Sequence, residues 1–261
     1  MINSNTEKPV VLVLAGHDPS GGAGIQADIE TIANAGCHAA TIITSLTAQN
    51  TKQVSEIIPQ NPAAFQKQIQ LVLDDMQIAS CKIGMIGEIE LVDIIAKELS
   101  DLNIPVVLDP VMSSTSGKTF ADEKMCQKIL SSLLPLTTLA TPNANELRKL
   151  TGSTGLNESV DRLLTSGANS VLVTGADEAT ENVINTFFMS GNKPIEYQWQ
   201  RLEGSYHGSG CTLSSRIAAL LALGEDLKTA IEKAQAYTWN TLSHGLTLGQ
   251  GQAQPDRFFE E

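Results

Sequence analysis

Short apolar runs alternate with helix-period stretches from one end of this chain to the other, and that alternation narrows the folds open to it. Val10–Ala15, Ala39–Ser45, Cys81–Met85, Val106–Leu108, Leu139–Thr141 and Val171–Thr174 read as strands. They are apolar on both faces, the pattern of a parallel sheet covered by helices on each side. Gly22–Ala35, Pro62–Met76, Ile89–Asp101, Asp122–Leu134, Asn143–Thr151, Ser159–Ser166, Ser209–Leu223 and Leu227–Leu246 read as helices. Val183–Met189 and Ile195–Trp199 flank Gly191-Asn192 and predict an antiparallel hairpin near one sheet edge. The expected fold class is therefore α/β, with a mostly parallel, doubly wound sheet. No repeat, low-complexity tract or linker-like run interrupts the pattern, so residues 1–261 are expected to form one domain, with 1–8 as a flexible tail.

In such sheets ligands bind outside the carboxyl ends of the strands, which makes the loop after each strand the place to look. His207-Gly208-Ser209-Gly210-Cys211-Thr212 stands directly before an amphipathic helix. Glycines let backbone N–H groups turn inward, and a helix start adds unpaired N–H groups and the positive end of a dipole. Together they predict an anion site suited to phosphate. Cys211 lies at that spot, where a thiol is expected to lose its proton more easily than in water. The bland alternative is a small buried cysteine after a common turn.

After the first strand, Gly22-x-Gly24-x-x-Ala27 matches a dinucleotide fingerprint. The second strand, however, ends in Thr44-Ser45-Leu46-Thr47-Ala48-Gln49-Asn50, with no acid to hold a ribose, and no Gly-Lys-Ser/Thr completes a Walker loop. Gln49 offers an amide donor and acceptor for a heterocycle carrying an amino group and a ring nitrogen. Met85 offers a polarizable sulfur to an aromatic ligand, or else packs in the core. Asp109, at the end of the fourth strand, is placed for a hydrated magnesium or a cap. Asn143 and Glu146 share a helix face, which fits either a metal-bound water or a capping box. Thr174 and Gly175 follow the sixth strand, where a nucleotide phosphate would pass. Trp199, Trp239 and the histidines other than His207 form no constellation and read as structural.

The formal charge of −12 argues against a general nucleic-acid binder, though not against a small phosphorylated substrate. The four cysteines lack CxxC spacing and accompany no histidine cluster, which fits reduced thiols in the cytoplasm rather than zinc. Met1 to Lys8 is short and polar, unlike a secretory signal. No apolar stretch reaches the ~20 residues of a bilayer span.

The segments AGHDPSGGAGIQAD, TSLTAQNT, KIGMIG, VVLDPVM, TPNANE and GSYHGSGCTLSS, in this order, resemble the ribokinase-like superfamily. More closely they resemble the hydroxymethylpyrimidine/phosphomethylpyrimidine kinases of thiamine biosynthesis. The resemblance runs from Ala15 to about Leu246 and implies a three-layer αβα fold. It implies ATP-dependent phosphorylation of the hydroxymethylpyrimidine to its monophosphate and then to the diphosphate. By position it assigns Gly16, Gln49, Met85 and Val111 to pyrimidine contacts, with Asp28 a weaker candidate. Asp109 and Glu146 fall to the Mg2+ shell, with Asn143 near the nucleotide phosphates. Gly208, Ser209, Gly210 and Cys211 fall to the anion hole, with Cys211 the base or its surrogate. Relatives resemble homodimers, so a homodimer is expected, with no membrane or nucleic-acid partner.

Two departures stand out. Ser114-Thr115-Ser116-Gly117 replaces a lysine-bearing run of the family, with Lys118 a candidate substitute, and Thr174 replaces a second lysine. They keep two other readings open: a pyridoxal or pyridoxine kinase on the same fold, and a catalytically silent pyrimidine-binding protein. A dehydrogenase ranks behind both.

Overall fold

A computed structural model describes residues 8–113 and 120–260. The expected flexible tail, apart from Lys8, and the segment holding Ser114 to Lys118 lie outside the described residues. One nine-stranded sheet organises the rest, in the order β3-β2-β1-β4-β5-β6-β7-β8-β9. In chain order the strands are β1 (Val10–His17), β2 (His38–Gln49), β3 (Val54–Pro59), β4 (Ile78–Ile83), β5 (Val106–Leu108), β6 (Leu139–Ala140), β7 (Ser170–Val173), β8 (Asn182–Met189) and β9 (Ile195–Gln200). The run from β2 through β1 and β4 to β7 is parallel, while β3, β8 and β9 are antiparallel to their neighbours.

The helices are α1 (Gly24–Asn34), α2 (Pro62–Asp75), α3 (Ile89–Leu99), α4 (Glu123–Ser132), α5 (Ala144–Thr151), α6 (Leu156–Thr165), α7 (Ser209–Ala222) and α8 (Leu227–Ser243). Alternating strand residues feed two cores. Leu12 and Leu14 of β1 face a layer holding Phe65 and Ile69 of α2, Leu91 and Ile95 of α3 and Leu147 of α5. Val11 and Val13 face the opposite layer, with Ile25 and Ile32 of α1, Ile217 of α7 and Ile231 of α8. Both faces of the central parallel strands are therefore covered, and those strands are mainly apolar for that reason.

The chain leaves β1 for β2 on one side and later returns to lay β4 on the other side of β1. α1, which follows β1, and α3, which follows β4, pack on opposite faces. Their connections diverge there and open a crevice, the topological switch point of this architecture. The β8–β9 hairpin forms as expected and turns at Gly191, with φ +75°. β3 is an addition to the sequence reading. It is a mostly exposed edge strand, with Ile58 44% exposed, and it exists because β2 runs on to Gln49 and offers it a partner.

Candidate active site

The switch-point crevice is a cavity of about 210 Å3. Gly16 and His17 from the end of β1, Gln49 from β2, Met85 after β4, Asp109 and Val111 after β5, and the turn Gly208–Cys211 all line it. It runs into a larger cavity of about 600 Å3, walled in part by Trp199 of β9 and by Gln235 and Trp239 of α8. Asn143, Glu146, Thr174, Ser209 and Gly210 line both. The strand-end loops singled out from the sequence thus converge on one elongated cleft. Trp199, Trp239 and His17, read from the sequence as structural, line the cleft as well.

The turn before α7 has the geometry of an anion receptor. Gly208 is the N-cap, with φ +88° and no side chain capping the helix. A Cβ on Gly208 would lie 1.9 Å from the Gly22 carbonyl oxygen, so only glycine allows the two glycine-rich segments to meet. The first intrahelical bond at this end joins the Thr212 N–H to the Gly208 carbonyl. The N–H groups of Ser209, Gly210 and Cys211 precede it at the positive end of the helix.

The first glycine-rich segment is wound around Asp18, a residue the sequence reading passed over. Its carboxylate accepts from the Ser20 N–H at 2.8 Å, the Ser20 hydroxyl at 2.7 Å and the Ala23 N–H at 2.9 Å. His207 Nε2 lies 3.0 Å from it. Burial pushes the Asp18 carboxyl up, but hydrogen bonds from His207 and Ser20 outweigh that and hold it below the ordinary value. Gly24, at φ +61°, backs onto the Gly16 carbonyl, where a Cβ would sit 2.3 Å from the oxygen. A Cβ on Gly16 would meet the Met85 methyl at 2.4 Å, so the pair packs as glycine beneath thioether. Thr44 holds Met85 in place by donating to its carbonyl at 2.6 Å. No group among the described residues bonds the Gln49 side-chain amide, which remains open to a ligand.

Asp28 does not line the cavity. It is fully buried beneath it, bonded to Lys82 Nζ at 2.9 and 3.1 Å and to the Ser215 hydroxyl at 2.6 Å. Lys82 was absent from the sequence-based site, yet it lines the floor of the cleft and lies 3.9 Å from Asp109. Burial disfavours its charge, but Asp28, aided by Cys211 and Asp109, keeps it protonated. A buried ion pair that loses one partner leaves an uncompensated charge. Lys82→Met should therefore destabilise the fold by about 3–5 kcal/mol, read as a lower urea midpoint.

Gly175 also departs from its expected role. It is outside the cavity linings, donates its N–H to Asn185 Oδ1 at 3.1 Å, and has no room for a Cβ against the Ile184 carbonyl at 2.2 Å. Thr174 beside it does face the cleft. Asn143 and Glu146 form a full capping box, with bonds of 2.8 and 3.0 Å, and both still line the cavities.

Burial, with Asp109 adding repulsion, pushes Glu146 up to about 8. Asp109 is itself raised by burial against the pull of Lys82, and it accepts a bond from Ser214 at 3.2 Å. Cys211 corrects the expectation of an acidified thiol. Burial raises it to about 12, and although Lys82 opposes that, Asp109 and Asp28 reinforce it.

A three-layer αβα sheet, a helix-start anion receptor at its switch point and an elongated two-part cleft together define a small-molecule kinase of ribokinase-like fold. The sequence pattern of phosphomethylpyrimidine kinases matches residues 18–256, and the chain belongs to that family. The hydroxymethylpyrimidine/phosphomethylpyrimidine kinase of Haemophilus influenzae is 36% identical over 251 residues, covering 92% of this chain and 93% of the relative. The crystal structure of a phosphomethylpyrimidine kinase from Clostridium difficile is 32% identical, with a TM-score of 0.77 over 88% of this chain and 98% of that one. A pyridoxal kinase from Bacillus subtilis, solved as an ADP complex, is 25% identical, with a TM-score of 0.87 over 96% of this chain and 97% of that one. No helix among the described residues is long and apolar enough to cross a membrane.

Proposed function

We propose that this protein transfers the γ-phosphoryl group of ATP first to the hydroxymethyl oxygen of 4-amino-5-hydroxymethyl-2-methylpyrimidine and then to the resulting monophosphate. The observation that carries the reading is the placement of an uncapped α7 turn at the junction of two cavities of unequal size. The smaller, with its glycine–methionine floor and open Gln49 amide, suits a flat heterocycle. The larger suits a nucleotide, with Asn143 and Thr174 along the phosphate path and the two tryptophans toward the far end. The family supports the substrate class, and a single domain carries both halves of the site.

Phosphoryl transfer asks the protein mainly for alignment and charge stabilisation. The acceptor oxygen attacks the γ-phosphorus as the bond to the bridging oxygen of ADP breaks. The N–H groups of Ser209, Gly210 and Cys211 stabilise the charge on the equatorial oxygens. In the first step the acceptor is an alcohol, and the thiolate form of Cys211 receives its proton. In the second step the acceptor is already an anion, so no base is required.

The residues present also fit a magnesium ion. Asp109 is buried and Glu146 partly buried at the cleft, where they repel each other, and a cation would relieve that. Magnesium needs only one or two carboxylates, with waters and substrate phosphates completing its shell. When bound there it would neutralise phosphate charge. The reading includes a cytoplasmic setting, where ATP is available and thiols stay reduced, and a homodimer, which sedimentation would test.

The direct assay measures ADP release with magnesium and either hydroxymethylpyrimidine or pyridoxal as acceptor. The account expects greater turnover of the pyrimidine. Pyridoxal as the preferred acceptor would replace this reading, and ATP consumption with neither would support a silent binding protein. Gln49→Ala should raise the pyrimidine KM while leaving kcat nearly unchanged, because that contact is made alike in ground and transition states. Unchanged saturation by the pyrimidine would remove Gln49 from the pocket.

A further inference from the structure

The C-terminal segment after α8 returns across the mouth of the active site and touches both glycine-rich segments. The Ala253 carbonyl accepts from the His207 N–H at 2.9 Å, and the Ala253 N–H donates to the Ser205 carbonyl at 3.0 Å. Gln254 Nε2 donates to the Ser20 carbonyl at 3.0 Å. Arg257 then enters the interior, with its side chain only 1% exposed. Its Nε donates to Thr212 Oγ1 at 3.0 Å, one residue beyond Cys211. Its Nη2 donates to the Gly22 carbonyl at 2.5 Å, and its Nη1 to the Gly21 carbonyl at 3.4 Å and to Glu30 at 3.0 Å.

A guanidinium is a rigid planar fork with five donors, so acceptors bound along its edges are fixed relative to one another. Here one edge holds the helix that starts at the anion turn, and the other holds the loop lining the pyrimidine end of the cleft. The anchor itself is secured. The Tyr237 hydroxyl donates to the Arg257 carbonyl at 2.8 Å, and Phe259 packs against Tyr237 and stacks on His244 with centroids 5.2 Å apart. The stretch Gly21–Gly24 contains two glycines of positive φ, and Arg257 adds to the Asp18 bonds that hold Ser20 and Ala23.

We propose that Arg257 is a positioning residue that locks the acceptor-binding loop to the phosphoryl-binding turn, setting the line of attack for transfer. This rests on the kinase reading above. Arg257 lines neither cavity, so its loss acts on alignment rather than on binding at either end. A slackened loop also admits water to the γ-phosphoryl group, which then yields ADP and inorganic phosphate instead of ADP and phosphorylated pyrimidine.

The experiment compares the unmutated chain with Arg257→Lys and Arg257→Ala, expressing kcat per folded molecule and counting ADP released per pyrimidine phosphorylated. Lysine keeps the charge but has a single ammonium that cannot span the same acceptors. Both variants should keep the KM for ATP and pyrimidine within about threefold while kcat falls at least about tenfold, since misplacement near 1 Å costs about 10²-fold. The ADP-to-product ratio should rise above one, a readout that loss of stability alone would not move. Should the arginine variants fail to fold, Gln254→Ala, which frees the same loop at Ser20, should raise that ratio in the same way. Variants that fold, keep kcat within about twofold and keep one ADP per product would overturn the proposal while leaving the kinase reading intact. An unmutated chain that phosphorylates no acceptor would overturn the kinase reading instead, and the proposal with it.

Discussion

In the alkaline range, where the Cys211 thiolate becomes populated, Cys211→Ala is expected to slow phosphorylation of the hydroxymethylpyrimidine by about 10²–10⁴-fold, while phosphorylation of the monophosphate falls by less than about tenfold. The asymmetry follows from the acceptors. An alcohol must lose its proton as it attacks, whereas a phosphate monoester arrives ionised. The thiol's environment adds a signature in pH. Burial holds Cys211 near 12, well above an ordinary thiol, so its proton-accepting form is scarce at neutrality and grows as pH rises. The rate of the first step should therefore climb about tenfold per pH unit through the neutral range, and the second step should not. Separate single-turnover measurements of the two steps across pH would check both statements. Equal, small losses in both steps would reject the base role and leave the anion turn standing.

Gly208→Val should abolish transfer in both steps by about 10²-fold or more, because it displaces the anion turn itself. Two independent features forbid a side chain here. The residue has φ +88°, which a β-branched residue rarely adopts, and its Cβ would lie 1.9 Å from the Gly22 carbonyl oxygen. That oxygen belongs to backbone and cannot swing away as a flexible side chain would. The turn and the first glycine-rich loop must part by about 1 Å or more, and the N–H groups of residues 209–211 move with them. Rate measurements on both acceptors, alongside a folding check by circular dichroism, separate this from unfolding. A folded Gly208→Val protein with near-native rates would show that the turn does not contact the transferred group.

Most of the architecture was legible in the sequence because burial on both faces leaves an unambiguous apolar signature in strands such as Val10–Ala15 and Val106–Leu108. β3 left no such mark. Val54-Ser55-Glu56-Ile57-Ile58-Pro59 does not alternate and lies at an edge, and it becomes a strand only through pairing with the far end of β2. β4 spans Ile78–Ile83 rather than Cys81–Met85, since the chain leaves the sheet at Gly84 to bring Met85 over the cleft.

The site was legible where backbone geometry and residue type speak locally, as at Gly208, Gln49 and the Asn143–Glu146 box. It was not legible where a role depends on distant partners. Lys82 looks like any strand lysine until Asp28 and Asp109 close around it. Asp28 looks like a pocket residue until that pairing takes it out of the cavity. Asp18 and Arg257 matter through contacts across almost the whole chain. The acidity of Cys211 was misjudged for a related reason. A helix start lowers a thiol's proton affinity, but two carboxylates brought in from α1 and the end of β5, together with burial, raise it by more.

The account places the γ-phosphoryl group of ATP at the start of α7, and a structure of the protein with a non-hydrolysable ATP analogue, magnesium and the hydroxymethylpyrimidine tests that most directly. The expected result is γ-phosphate oxygens within hydrogen-bond reach of the Ser209, Gly210 and Cys211 N–H groups, with the acceptor hydroxyl facing the same phosphorus from the Gln49 side. A nucleotide whose terminal phosphate lies away from that turn, or a pyrimidine seated outside the Gly16–Met85 floor, would contradict it.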